Sequence, residues 1–247
     1  MSDPEKKTPE AQFDPDHRFV TSYFISPSAL AVIRILIAIY TLVTNLYVLI
    51  RLGVRSHEAD QFLPYFTNLS YVGQCAYFWA AGVQTIFYVR NDGSGYPLQS
   101  WPKVLRYLHR VLFSTTTTYP ILVTIVFWIL LADASTFATP YSAWANLSRH
   151  ALNTVFALFE IGLTNGGPLV WIDIVPCVVC LGAYLGVAYI THATQGYYTY
   201  SFLDPVKEGK LLAGYIIGIA AGECIIFAIV LGATTLRSRL VNRNKEA

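Results

Sequence analysis

Apolar residues are gathered along this chain into six long runs, which short polar connections separate. The runs cover residues 29–52, 62–89, 111–132, 144–163, 169–191 and 211–236. Each has the roughly 20 residues that a helix needs to cross about 30 Å of hydrocarbon. Segments of about ten residues with alternating polarity, typical of membrane strands, do not occur in the sequence. The pattern therefore predicts an all-α, polytopic membrane protein with six transmembrane helices in a single bundle.

Polar residues predominate on both sides of these runs. Residues 1–28 mix both charges and lack the apolar stretch of a signal peptide, so we expect the first run to act as an uncleaved anchor. We predict three parts, namely a polar cytosolic N-terminal tail (1–28), a six-helix transmembrane domain (29–236) and a basic cytosolic C-terminal tail (237–247).

The composition supports the membrane assignment. Hydrophobic residues make up 54% of the 247 residues and charged residues only 13%, about half the charge of a soluble domain. This excludes a disordered chain and disfavours a soluble enzyme. A net charge of +2 gives no reason to expect a nucleic-acid partner. The four cysteines lie within apolar runs, so no disulfide framework is predicted, and the pair at Cys177 and Cys180 is typical of apolar helix filler.

The basic residues predict an orientation. With the N-terminus inside, eleven Lys and Arg residues flank the runs on the inner side and four on the outer side. The positive-inside rule then places both termini in the cytosol. Basic residues at Arg243 and Lys245 have the spacing of a dilysine-type retrieval signal of the endoplasmic reticulum, and they also fit a plain positive-inside flank.

A few polar residues within the runs are candidates for chemistry, because such groups are costly in a bilayer and usually face the bundle interior. The predicted topology brings Thr67, His150 and His192 to a similar depth in the outer half. A threonine hydroxyl needs a nearby base to become a nucleophile, and a neutral imidazole can serve as that base. Thr67 could instead bond back to a carbonyl one turn earlier, and His150 with Asn153 could form an interhelical hydrogen bond.

A second, charged group is predicted towards the inner side, with Arg34, Glu160 and Asp173 in it and Glu223 nearer the middle of the membrane. Structural ion pairing is one interpretation of this group, and a proton or ion path is the other. His109 and Arg110 are interpreted as interfacial anchors. No histidine or carboxylate pair has the spacing of a metal site on a helix, so we predict no metal and no cofactor.

Three sequence blocks carry a resemblance to a known family. They are Phe62-Leu-Pro-Tyr-Phe-Thr67-Asn-Leu-Ser70, His150-Ala-Leu-Asn153 and Thr191-His192-Ala-Thr-Gln-Gly196-Tyr-Tyr-Thr-Tyr200-Ser-Phe-Leu-Asp204. In these blocks, and in their order, the chain resembles the androgen-induced membrane-protein family. That family consists of six-span proteins of the endoplasmic reticulum and includes threonine hydrolases of fatty acid esters of hydroxy fatty acids. The chain also has a more distant resemblance to rolling-stone-like membrane proteins, from which no hydrolase activity follows.

The first resemblance implies an intramembrane lipid ester hydrolase of the endoplasmic reticulum, with Thr67 as nucleophile and His150 as general base. Its substrate would be a lipid that enters from the bilayer. The oxyanion donor or the group that orients His150 is expected among Asn68, Asn153, His192 and Tyr200, and Ser70 is the fallback nucleophile. A transporter or channel and a non-catalytic lipid-binding protein remain alternatives. The sequence predicts no oligomeric state.

Overall fold

A computed structural model describes residues 13–246 of the chain, without the side chains of residues 242 and 244–246. Every regular element in that part is helical. The α-helices are α1 (Pro27–Arg51), α2 (Phe66–Arg90), α3 (Lys103–Val126), α4 (Pro140–Leu147), α5 (Asn153–Leu163), α6 (Ile174–Gln195), α7 (Pro205–Glu208) and α8 (Leu211–Glu246). Short 3-10 helices lie at Arg18–Val20, Ala59–Gln61, Pro97–Ser100, Ala134–Phe137, Trp171–Asp173 and Ser201–Leu203.

The longer α-helices form six rods, namely α1, α2, α3, α4 together with α5, α6 and α8, and three of these rods contain a turn of π-helix. Leu52–Ser56 continues α1, Phe127–Leu131 continues α3, and Ser148–Leu152 joins α4 to α5. Such turns are rare in proteins and are often found at functional sites. The rods coincide with the six apolar runs, but their ends differ from the predicted ones.

Local sequence explains where several rods begin and end. Ser26 accepts a hydrogen bond from the Ala29 amide at 3.3 Å, and Pro27 occupies the first position of α1, where its missing N–H costs nothing. Gly196 ends α6 at φ +81°, a backbone conformation that side chains with a Cβ rarely adopt.

Within residues 13–246, four helices are long and apolar enough to span a membrane, namely Pro27–Ser56, Lys103–Leu131, Trp171–Gln195 and Leu211–Val241. The rods of α2 and of α4–α5 are as long as a span but carry more polar residues, many of which face the interior. Gln74, Gln84 and Thr85 of α2, for example, are all buried. The fold is therefore that of a helical membrane protein whose apolar core also contains buried polar side chains.

Consecutive rods run in opposite directions, so their connections gather at two ends. At the first, which we call the basic end, the N-terminal segment meets the end of α2, the start of α3 and the α5–α6 connection. The His17 ring lies 5.1 Å from that of Tyr88, the Phe19 ring lies 5.3 Å from that of His109, and the Asn165 amide donates to the Thr21 carbonyl at 2.9 Å. The other end, where α2 begins, is called the Thr67 end.

Residues 13–26 are packed onto the basic end of the bundle. Val20 is fully buried, the Tyr96 hydroxyl donates to the Asp14 carboxylate at 2.6 Å, and Ser22 donates to the Leu163 carbonyl. The boundary expected at residue 28 therefore falls within the packed structure, while residues 1–12 of the expected tail lie outside the described residues. At the other terminus α8 continues beyond residue 236, and Arg237 donates to the Ile161 carbonyl.

The inner charged group predicted from the sequence is divided in the structure. Arg34 and Glu160 form a bidentate ion pair with both nitrogen–oxygen distances at 2.8 Å, and both side chains are fully buried. Asp173 instead pairs with Arg110 at 2.8 Å, so Arg110 is more than an interfacial anchor. The Glu223 carboxylate is buried and contacts no hydrogen-bond partner among the described residues. The Arg34–Glu160 contact is structural ion pairing.

His109 also differs from its interpretation as an interfacial anchor. Its side chain is buried, and its ring lies 5.3 Å from that of Phe19 and 5.8 Å from that of Tyr77. The cause is the N-terminal segment, which covers this side of α3 with Phe19. The sequence does not predict the burial of His109, because residues 1–28 are expected to form a tail that does not pack on the bundle.

Candidate functional site

Thr67 lies in the first turn of α2, next to a tyrosine from the α6–α7 connection. Its Oγ1 atom is 3.5 Å from the Tyr200 hydroxyl, and the Thr67 amide donates to the same hydroxyl at 3.4 Å. The structure thus brings Thr67 and Tyr200 together, and Thr67 makes no back-bond to the preceding turn among the described residues. Ser70 does bond back, donating to the Thr67 carbonyl at 3.1 Å.

Tyr200 lies outside the long helices and packs against three aromatic neighbours. Its ring centroid is 5.6 Å from that of Tyr65, 6.2 Å from that of Tyr184 and 5.2 Å from that of Phe202. Burial raises the pKa of Tyr200 above its ordinary value, although the hydrogen bonds with Thr67 oppose this shift. The phenol is therefore protonated at neutral pH and can donate a hydrogen bond.

His150 lies in the π-turn between α4 and α5 and is almost fully buried. Its ring stacks on Phe127 with the centroids 3.6 Å apart and the planes within 5°. Its backbone carbonyl accepts a hydrogen bond from the Trp128 indole at 2.8 Å. The two ring nitrogens bond to no other described residue, so packing rather than hydrogen bonding fixes the orientation of the imidazole.

Thr67 and His150 both line one polar cavity at the Thr67 end, with a volume of about 620 Å³. We call this space the polar cavity. The α6–α7 connection contributes Tyr200 to its wall, and the connection after α3 contributes Asp133. No hydrogen bond joins the Thr67 hydroxyl to the His150 ring among the described residues. The two groups therefore line the same cavity without a direct hydrogen bond between them.

A second, smaller cavity of about 150 Å³ lies beside the first and is almost entirely apolar. We call it the apolar cavity. Side chains of α3, α6 and α8 form it, including Leu122, Leu181 and Ile219. Thr67 and Tyr200 line both cavities. The hydroxyl groups of these two residues therefore lie at the junction between a polar and an apolar space.

Arg149 is a polar-cavity residue to which the sequence analysis assigned no role. Its Nη1 donates to the Asn68 side-chain oxygen at 2.8 Å, and its Nε donates to the Ala145 carbonyl at 3.0 Å. No carboxylate pairs with it among the described residues. Its position inside an apolar run was a usable signal, since a charged residue within a membrane span is by default a candidate for a functional role.

Asn68 is expected as an oxyanion donor, but both ends of its amide are engaged. Its oxygen accepts from Arg149, and its nitrogen donates to the Phe62 carbonyl at 2.7 Å. Asn68 thus connects the start of α2 to the arginine of the neighbouring rod. Asn68 lines the polar cavity, but its amide oxygen is engaged with Arg149 and its amide nitrogen with the Phe62 carbonyl.

Asn153 and His192 are placed away from the polar cavity. Asn153 donates to the Pro120 carbonyl at 3.2 Å and accepts from the Thr124 hydroxyl at 3.1 Å, which is the interhelical bonding considered as its alternative role. The His192 ring stacks on Tyr198 with centroids 3.8 Å apart and does not line the cavity. Of the four expected accessory residues, Tyr200 is the one whose side chain hydrogen-bonds to Thr67 in the described part of the chain.

All three π-turns contribute to the wall of the polar cavity. Leu52 comes from the first, Phe127 and Leu131 from the second, and Arg149 and His150 from the third. A π-turn adds one residue to a helical turn and so changes the direction in which the following side chains point. Hydropathy does not reveal such turns, which is why the sequence analysis missed this feature.

The described residues contain no group of three or more side chains that could hold a metal ion. Comparison of the chain with protein-family models, with curated proteins and with solved structures finds no match. The fold and the hydropathy define the class of the protein, which is a helical membrane protein. Its activity has to be inferred from the site.

Proposed function

We propose that the chain is a six-span membrane protein of the endoplasmic reticulum that hydrolyses lipid esters, such as fatty acid esters of hydroxy fatty acids. All six rods would cross the bilayer, with the basic end and both termini in the cytosol, as the positive-inside rule favours. Thr67 would be the nucleophile and His150 the general base. The resemblance described above suggests the compartment and the ester class.

The position of Thr67 at the junction of the two cavities carries this proposal. An acyl ester has a long apolar portion and one polar reacting centre. The apolar cavity has room for the acyl chain. The polar cavity has room for water and presents the His150 imidazole and the Arg149 guanidinium to the ester group. Apolar walls with a few converging polar groups are typical of ligand sites.

In the proposed reaction, the residues around Thr67 carry out acyl transfer in two steps, acylation of Thr67 and hydrolysis of the acyl-enzyme. In the first, Oγ1 of Thr67 attacks the carbonyl carbon while its proton passes to the His150 imidazole. The Tyr200 phenol and the Arg149 guanidinium are the donors available to the oxyanion. When the ester C–O bond breaks, His150 returns the proton to the leaving alcohol, and an acyl ester of Thr67 remains.

In the second step, water attacks the acyl-Thr67 carbonyl while His150 removes one of its protons. Collapse of this intermediate breaks the bond to Oγ1, the proton returns to Thr67, and a carboxylic acid leaves. The absence of a direct Thr67–His150 hydrogen bond is compatible with this scheme, because catalytic hydrogen bonds are often long before substrate binds.

The experiment is turnover of a fatty acid ester of a hydroxy fatty acid by the purified protein, together with labelling by a fluorophosphonate probe. Thr67→Ala should abolish both, and His150→Phe, which keeps the stacking on Phe127, should lower both at least 100-fold. Thr191→Ala is the matched control, since Thr191 is similarly buried and its hydroxyl donates to the Val187 carbonyl of its own helix, away from the polar cavity. Undiminished labelling of Thr67→Ala would refute the assignment, and Ser70→Ala tests the fallback nucleophile.

A second candidate function is lipid binding without turnover. The specific observation in its favour is that the Thr67 hydroxyl contacts Tyr200 rather than His150. Lipid that co-purifies with the protein and stays intact on long incubation, with equal retention by wild type and Thr67→Ala, would favour this function over hydrolysis. A transporter or channel is the third alternative from the sequence. The Arg34–Glu160 ion pair argues against it, because both side chains are fully buried and so line no open path through the bundle.

A further inference from the structure

A cavity at the basic end contains four cationic side chains and belongs to no part of the proposed ester site. Its volume is about 530 Å³, and we call it the basic cavity. The cations that line it are Arg18, Lys103, Arg106 and Arg110. Along α3 this region is about 30 Å from the polar cavity, given a rise of about 1.5 Å per residue between Arg106 and Phe127.

Carboxylates near this cavity hold some of the cations in place. Asp16 pairs with Arg18 at 2.8 Å, and Asp173 pairs with Arg110 at 2.8 Å. Asp14 also lines the cavity, but its oxygens accept hydrogen bonds from the Tyr96 hydroxyl and from two backbone amides. The ion pairs orient the guanidinium groups and leave further N–H donors on each of them, because a guanidinium has five.

In the proposed six-span topology, the mouth of the basic cavity would lie at the level of the lipid headgroups. Aromatic side chains expose large surfaces around it, with Trp101 at 42%, Tyr107 at 51% and Trp171 at 64%. Such residues concentrate at membrane–water interfaces. The apolar side chains of Val104 and Leu108, which are also exposed, continue this surface towards the hydrocarbon. Long basic side chains at this depth reach lipid phosphates readily.

We propose that the basic cavity binds the phosphate of an anionic phospholipid headgroup from the leaflet at the basic end. Arginine forks match phosphate oxygens bidentately, and lysine adds a point charge. Basic pockets between membrane helices on the cytoplasmic side are known to suit anionic headgroups. The site is assembled from the N-terminal segment, α3 and the α5–α6 connection, so an occupant would hold these three parts together.

The test is a thermal-shift titration of the full-length protein in detergent with short-chain phosphatidic acid. Phosphatidylcholine of the same chain length and inorganic phosphate are titrated in parallel. We expect phosphatidic acid to raise the melting temperature at concentrations where phosphatidylcholine and inorganic phosphate have no effect. An equal shift from inorganic phosphate would overturn the lipid headgroup as the ligand, and an equal shift from phosphatidylcholine would overturn a phosphate-charge site altogether.

Variants then locate the site. Lys103→Gln combined with Arg106→Gln should weaken phosphatidic acid binding at least tenfold, whereas Arg106→Lys, which keeps the charge but loses the fork, should have an intermediate effect. Arg90→Gln is the matched control, because Arg90 is exposed at the same end and does not line the cavity. Equal weakening by Arg90→Gln would show non-specific attraction and refute the proposal. Elution of each variant as a monodisperse species confirms that it is folded.

Discussion

Replacing Glu160 with leucine removes the carboxylate that balances the buried guanidinium of Arg34. Arg34 donates to both Glu160 oxygens at 2.8 Å, to the Phe19 carbonyl at 2.6 Å and to the Thr85 hydroxyl at 2.9 Å. Both charged side chains have no exposed surface. An arginine cannot lose its charge, so Glu160→Leu leaves an uncompensated cation inside the bundle.

The expected loss for Glu160→Leu is about 3–5 kcal/mol, the range for breaking a buried ion pair by removing one partner. For a chain of this size that corresponds to a melting temperature lower by about 6–20 °C. Arg34→Leu should cost less, because the Glu160 carboxylate keeps its hydrogen bond from the Tyr77 hydroxyl at 2.9 Å. The double variant Arg34→Leu/Glu160→Leu should also be more stable than Glu160→Leu alone.

Thermal unfolding in detergent, followed by fluorescence-detected size exclusion, measures all three variants. Lys207→Gln is the control, because Lys207 is mostly exposed and its contact with Glu208 is 3.7 Å, so its loss should cost less than about 1 kcal/mol. The reasoning fails if Glu160→Leu is no less stable than Lys207→Gln. It also fails if the double variant loses the sum of the two single losses, since independent effects would mean that the two charges do not stabilise each other.

Three further predictions concern topology, the site and the N-terminal segment. In a background without native cysteines, Ser94→Cys should react with an impermeant maleimide on the cytosolic side of sealed microsomes and Asp60→Cys only after permeabilisation; labelling of both in sealed vesicles would contradict the six-span proposal. Tyr200→Phe should lower hydrolysis about 100-fold. Because burial raises the pKa of Tyr200, its hydroxyl stays protonated and the wild-type rate should not fall between about pH 8 and pH 10 through this group; a fall in that range that Tyr200→Phe removes would refute this role. Val20→Ala should destabilise the protein by about 2 kcal/mol in thermal unfolding, because Val20 is fully buried, whereas Val206→Ala, at a residue 92% exposed, should have no effect.

The positions of the long helices followed from hydropathy, because an apolar run of about 20 residues satisfies its backbone within itself and needs no partner to become a helix. Their ends did not follow in the same way. α3 begins at Lys103, eight residues before the apolar run at 111, and α8 continues to Glu246. Hydropathy marks where lipid contact ends, while helical hydrogen bonding continues into polar sequence.

The sequence did not distinguish among the residues expected to assist Thr67 and His150. Asn68, Asn153 and Tyr200 are equally plausible donors in sequence, since each has a polar group near the same depth. The structure distinguishes them by their partners. Asn68 bonds to Arg149, Asn153 bonds to the Pro120 carbonyl, and Tyr200 reaches Thr67. Which acceptor an amide finds depends on the neighbouring helix, and no local pattern encodes that choice.

The sequence by itself determined that this chain is helical, largely apolar and suited to a membrane, because those properties add up residue by residue along one segment. Tertiary structure alone decided that Arg34 pairs with Glu160 and that three π-turns face one polar cavity. It also decided that Thr67 lies between this cavity and an apolar one. These features depend on distances between segments far apart in the chain. Such distances are set by how side chains of different helices pack, since the interior is close-packed and each rod can settle only where its neighbours leave space.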